Sequence, residues 1–223
     1  MENSKIEQLI RDKEFSYLQP YFYNNRYALR CELGVGEGDQ YMINAKNRAM
    51  EIFNILFADG IDAIIFNYWI FDYSDSGCAE KIALEELEIT VEESIHNTLE
   101  SEADNLRFLL EMQAEYRHFS VMDLETYGDF DDEYIGKQRR NRIICYSDGK
   151  AFDYSGLIDQ EISGNGHNVG LVSFQNECIF SVYDDRGCDI VFATHEKMKK
   201  FYHLLEPYFL SYDAEEMKKR FNQ

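Results

Sequence analysis

The five residues Tyr183-Asp184-Asp185-Arg186-Gly187 place two carboxylates and a guanidinium between the apolar runs Cys178–Val182 and Cys188–Ala193. Arginine offers a planar fork of donors that suits a ligand carboxylate or phosphate, or it pairs with a neighbouring acid and stiffens the chain. Aspartates at such a position accept nearby backbone N–H groups, and a glycine there can supply the positive φ of a bulged hairpin. A four-residue turn therefore explains Asp184, Asp185 and Gly187 but leaves Arg186 without a purpose. The hairpin is a candidate ligand site, joined by Arg30 or Glu32 of an earlier strand. Asp189, alternating with Cys188, is expected to point away from the core.

Other chemistry is hard to find. No nucleophile stands beside a base, and no pair of carboxylates reads as a catalytic dyad, so no catalytic residue is assigned. His195 and His203 lie eight positions apart on one predicted helix. No His-x-x-x-His and no Cys-x-x-Cys spacing occurs, so neither a metal nor a cofactor is expected. The glycines of "GVGEGD" (34–39) lack the spacing and the Lys-Ser/Thr of a phosphate loop, and Glu37 and Asp39 would repel phosphate. Five widely spaced cysteines, Cys31, Cys78, Cys145, Cys178 and Cys188, sit mostly in apolar runs and read as reduced core thiols.

The elements that would position the hairpin follow from hydrophobic period. Ser4 and Glu7 form a capping box ahead of Ile6, Leu9 and Ile10. Residues 26–34 alternate, with Tyr27, Leu29, Cys31 and Leu33 on one face and Arg26, Ala28, Arg30 and Glu32 on the other, which predicts a strand. Met42, Ala45, Ala49, Phe53, Leu56 and Phe57 recur at helical spacing up to the stop "ADG", and residues 61–71 read as a buried strand. After a stretch at about 74–140 that is mostly helical in pattern, residues 142–146 predict a strand and 153–162 a short helix. "VGLVSF", "CIFSVY" and "CDIVFA" are three strands with four-residue links, which implies an antiparallel meander. A helix from about His195 carries Met198, Phe201 and Leu205, and Asp213 with Glu216 caps a last basic helix. The expected fold is one α+β domain over 1–223, its sheet antiparallel or mixed, with a C-terminal three-strand meander, helices over the sheet and an acidic, mostly helical insertion at about 74–140.

Charge is concentrated in that insertion. Residues 72–133 hold 19 acids against three bases, so −16 of the net −20 falls there. A direct nucleic-acid ligand is disfavoured, because phosphates are bound by Lys and Arg, and the short run "KQRRNR" (137–142) reads as a local charge partner. The acids suit either a solvated face or a docking surface for a basic protein, and Glu92, Glu100, Glu111, Asp129, Asp131 and Asp132 are the candidate contacts. The opening residues lack the basic and apolar regions of a signal peptide, and no run is long enough to span a membrane. A cytoplasmic protein is expected; oligomeric state leaves no sequence signal.

Four blocks, "RYALRCELG", "RAMEIFNILFADGIDAIIFNYWIFDY", "CIFSVYDDRGCDIVFA" and "LLEPYFLSYDAEEMKKRF", resemble in this order the bacterial family of domain of unknown function 3885. The hairpin is the most recognisable of these elements. The resemblance implies a small cytoplasmic protein and carries over no reaction, cofactor or catalytic residue. Small size, concentrated acidity, 15% aromatic residues and the lack of a legible catalytic set together suggest an immunity or antitoxin-like protein that covers a basic, nuclease-type toxin. The alternative is a small-ligand-binding protein or enzyme built on the Asp184-Asp185-Arg186-Gly187 hairpin, which a deep pocket would favour.

Overall fold

A computed structural model describes residues 20–71, 118–127, 138–146, 154–164, 166 and 169–222, with 66–71, 118–127 and 138–146 described by their backbone. The elements are α1 (Tyr21–Asn24), β1 (Ala28–Glu32), α2 (Asp39–Leu56), β2 (Ala63–Phe71), β3 (His118–Tyr127), β4 (Gln138–Tyr146), α3 (Tyr154–Ile162), β5 (Val169–Ser173), β6 (Cys178–Asp184), β7 (Gly187–Phe192), α4 (His195–Leu205) and α5 (Ala214–Phe221). They fall into two compact units, residues 1–65 with 149–223, and residues 66–148.

In the first unit the strands stand in the order β1-β7-β6-β5-β2, and β1 with β7, β7 with β6 and β6 with β5 pair antiparallel. The three-strand meander and the α+β class are as the sequence predicts. Beside β5, the amide of Asp62 donates to Val172 O at 3.0 Å, and Ile65 lies next to Gly170, so β2 enters antiparallel as well. Helix α2 turns Ala45, Ala49, Ile52, Phe53 and Leu56 inward, the period-3.6 set that opposes Phe180 on the sheet. Phe57 meets Phe180 edge to face, Phe53 stacks on Tyr154 of α3, and Phe201 of α4 stacks on Phe192. Thr194 caps α4 by accepting the amide of Lys197 at 3.3 Å.

Strand β1 differs from its expected half-polar form: Ala28, Leu29, Arg30 and Cys31 are all buried, so both of its faces are covered. Its outer edge is closed too. Leu210 N donates to Arg30 O at 3.1 Å, Arg30 N points at Met217 Sδ at 3.2 Å, and Cys31 bridges Phe209. Covering an edge in this way removes a template for pairing with other chains. Cys31, Cys178 and Cys188 are buried free thiols, and burial pushes the Cys178 thiol up to about 12.

In the second unit β4 lies between the end of β2 and β3, and β3 and β4 pair antiparallel from His118↔Tyr146 to Tyr127↔Gln138. This corrects the expected helical pattern for residues 118–127 and for 138–140. The run "HFSVMDLETY" carries Phe, Val, Thr and Tyr, which suit a pleated surface better than a helix, and a partner strand decides the outcome. Most of the basic run at 137–142 lies in β4, with Arg142 opposite Met122 and Arg139 opposite Thr126. The Ser4–Ile10 helix and the acidic contacts Glu92, Glu100, Glu111, Asp129, Asp131 and Asp132 lie outside the described residues.

Candidate functional site

The β6–β7 turn is tighter than the sequence suggests. Asp184 pairs with Gly187, so only Asp185 and Arg186 link the strands, and the register slips between Val182 and Asp184 to admit the turn. Asp184 organises it. Its Oδ1 accepts Arg186 N at 2.8 Å, and its Oδ2 accepts Arg186 Nε at 2.8 Å and also Nη2. The expected positive φ at Gly187 is not found: among the described glycines it belongs to Gly36, Gly38, Gly60 and Gly164. Gly187 is needed for closeness instead. A Cβ there would stand 2.1 Å from Tyr183 Oη and 2.7 Å from Cys31 O, because β1 and the Tyr183 phenol both close on its bare backbone.

Beneath the turn lies a buried ion pair. Arg30 and Asp189 oppose each other in the β1–β7 ladder. The backbone N–H and C=O of Arg30 are turned outward to Met217 and Leu210, which makes this a non-hydrogen-bonded pair, the kind whose side chains come closest. Arg30 Nε donates to Asp189 Oδ1 at 2.7 Å and Nη2 to Oδ2 at 3.0 Å, and that Oδ2 also accepts Phe22 N at 3.0 Å. The guanidinium carbon lies 4.6 Å from the Tyr23 ring centre and 5.2 Å from those of Phe22 and Tyr183. Burial opposes the charge of Arg30, but the bonds and the charge of Asp189 overcome it and hold the guanidinium above its usual range. Asp189, at 2% exposure, thus points inward, not away from the core, because the guanidinium of Arg30 lies there to neutralise it.

Asp213 extends the cluster. Its carboxylate accepts the Tyr23 hydroxyl at 3.1 and 3.3 Å and stands 3.8 Å from Arg30 Nη1. It occupies the N-cap position of α5 without bonding the helix amides, and Glu216 holds Arg220 at 3.0 Å instead. The expected capping pair is therefore absent, since a buried carboxylate gains more from a phenol and a guanidinium than from exposed amides.

Over these groups opens a cavity of about 710 Å³. Arg30, Asp189 and Ser181 line it, with Tyr183, Asp184 and Arg186 of the hairpin and Glu32 at the end of β1. Pro20, Tyr21, Gly34, Tyr41 and Leu210 complete the wall. Of the hairpin residues singled out from sequence, Tyr183, Asp184 and Arg186 reach the cavity, Gly187 supports Tyr183, and Asp185 acts on it through charge. Arg30 and Glu32 both reach it. Tyr21, Tyr41 and Ser181 were not foreseen as lining residues, and Asp189, expected at an outward acidic rim, reaches the wall from a buried position. An acid centred in one apolar strand and a base centred in another was the available signal for Asp189.

Electrostatics at the rim are negative. The Tyr41 hydroxyl is raised by burial first, then by the charges of Asp185 and Asp184 and, more weakly, Glu32, with Arg186 opposing. Tyr183 is raised above its usual range by burial, against the pull of Arg30. Among the described residues no group of three or more His, Cys, Asp or Glu side chains is placed to hold a metal ion.

The model of the family described as a domain of unknown function, DUF3885, matches residues 6–213. The chain belongs to the DUF3885 family. That match spans the cavity wall from Pro20 to Leu210, so the site lies within the DUF3885 domain. No curated protein and no solved structure matches the chain. Among the described residues of this DUF3885 protein, no helix is long and apolar enough to cross a membrane.

Proposed function

We propose that this DUF3885 protein binds a small ligand in the cavity between the end of β1 and the β6–β7 hairpin. The observation that carries the reading is the cavity itself: about 710 Å³, within the range of small-molecule pockets, walled by three tyrosines and a few convergent polar groups. Binding is favoured over group transfer, because the one hydroxyl of a serine in the wall, that of Ser181, donates to Val169 O at 3.0 Å, and Asp189, opposite it in the β6–β7 ladder, is engaged by Arg30 through both oxygens. A ligand present at 100 times its Kd should stabilise the fold by about 2.7 kcal/mol, a rise of about 5–10 °C in Tm. A metabolite panel screened by thermal shift should yield such a compound, and Leu210→Trp, which fills the part-exposed rim, should abolish its effect. A panel that moves neither Tm nor the amide resonances of the wall refutes the reading.

A second reading is an acidic immunity or antitoxin-like protein of the cytoplasm that neutralises a basic, nuclease-type toxin. It is supported by the −16 charge gathered between residues 72 and 133.

A further inference from the structure

We propose that the ligand of this cavity carries an organic cation, an ammonium or guanidinium group, seated against Glu32 with the Tyr41 ring as part of its wall. The proposal rests on the small-ligand reading and deepens it.

The charges of the wall decide the sign. Arg30 is closed by both oxygens of Asp189, and Arg186 by Asp184. An anion would have to compete with those carboxylates, and for Arg30 would have to leave Asp189 buried and unmatched. Glu32 is different. It is only part-buried, no hydrogen bond or ion pair engages its carboxylate among the described residues, and its backbone carbonyl is held by Arg48 Nε at 2.8 Å. Three acids against two bases line the cavity, and the unmatched one is Glu32.

Aromatic surface stands beside it. Gly34, two residues on, has no side chain, and the Tyr41 phenol occupies that space, 2.0 Å from where a Cβ would be. Tyr41 is a wall residue with no protein cation over its ring among the described residues, whereas the rings of Tyr23 and Tyr183 already face Arg30. A carboxylate and an aromatic ring in the wall of one cavity are the pairing that holds ammonium and guanidinium groups. The Tyr41 hydroxyl is raised first by burial and then by Asp185 and Asp184, with Glu32 the weakest of the acids that act on it. The volume suits an organic cation instead of a bare metal ion, for which the described wall also lacks a ligand set.

The test titrates the full chain, by calorimetry and by amide shifts, with agmatine and cadaverine as cations, 1,5-pentanediol as the neutral match, and glutarate and inorganic phosphate as anions. The expected result is saturable binding of a cation that moves the amides of Gly34, Tyr41, Ser181 and Tyr183. Glu32→Gln should weaken it about tenfold or more at unchanged Tm. Tyr41→Leu, a second variant, should weaken it as well, by up to about tenfold for a lost cation–π contact. If pentanediol or an anion binds as tightly as the cations with the same shifts, or if Glu32→Gln binds them equally well, the cation inference is overturned while the pocket reading stands. If none of these compounds moves those amides, the cation inference falls, and the metabolite panel decides the pocket reading.

Discussion

Asp189 closes both prongs of Arg30 from across the β1–β7 ladder, at 2.7 and 3.0 Å, with 9% and 2% of the two side chains exposed. One partner without the other would be a buried, uncompensated charge, so Asp189→Asn or Arg30→Met alone should each cost about 3–5 kcal/mol. The double variant Arg30→Met/Asp189→Leu should cost clearly less than the sum of its singles. Urea titrations of the four proteins measure this coupling, and strict additivity would mean that the pair does not act as a unit.

Gly187→Ala should destabilise by about 1–3 kcal/mol, through overpacking and not through φ. Adding Tyr183→Phe should return only part of the loss, because the Cys31 carbonyl would remain 2.7 Å from the new Cβ. Full recovery in the double variant would place the whole conflict on the phenol oxygen.

Alkaline pH should weaken the fold. Cys178 is raised from 9.0 to about 12 by burial, so above pH 9 the unfolded chain releases this proton while the folded one keeps it. Stability is fully present below pH 9 and declines towards pH 12 by up to about 1.4 kcal/mol per pH unit from this thiol. Denaturation midpoints between pH 7.5 and pH 10.5 should fall less steeply in Cys178→Ala, and parallel profiles would exclude the thiol as a source.

Reversal of Glu92, Glu100 and Glu111 to Lys tests the second functional reading. If those acids meet a basic protein, its association rate should fall about tenfold, and the unmodified protein should show a steep decline with salt. Tm should hardly change. A partner recovered from the native host that binds the reversed variant at the same rate, in low and high salt alike, argues for a solvated face.

Much of the first unit was legible because each element carried its own period. The short links between the apolar runs of β5, β6 and β7 and the 3.6 spacing of Ala45, Ala49, Phe53 and Leu56 needed no distant partner to be read. What escaped depended on partners. Alternation tells which residues share a face but not how many layers cover the strand, so Arg30 and Asp189 looked outward when each was inside. Asp213 followed a capping pattern that is sound locally and was overridden by Tyr23, 190 residues away. Gly187 was correctly seen as necessary, for the wrong reason: a turn glycine suggests φ, whereas the constraint comes from Cys31 and Tyr183. Glu32 and the hairpin acids could be named in advance, but that they share a cavity with Tyr21 and Tyr41 follows only from the packing of α1 and α2.

The 159 positions between Arg30 and Asp189 also set a clock. At ribosomal rates of about 5–20 residues per second, β1 is made roughly ten to thirty seconds before the strand that pairs with it. Through that interval the nascent chain holds Leu29 and Cys31 without their sheet and a guanidinium without its carboxylate. The cavity, whose floor is that ion pair, is therefore among the last features to form during synthesis, and its formation can be timed by arresting translation on either side of β7.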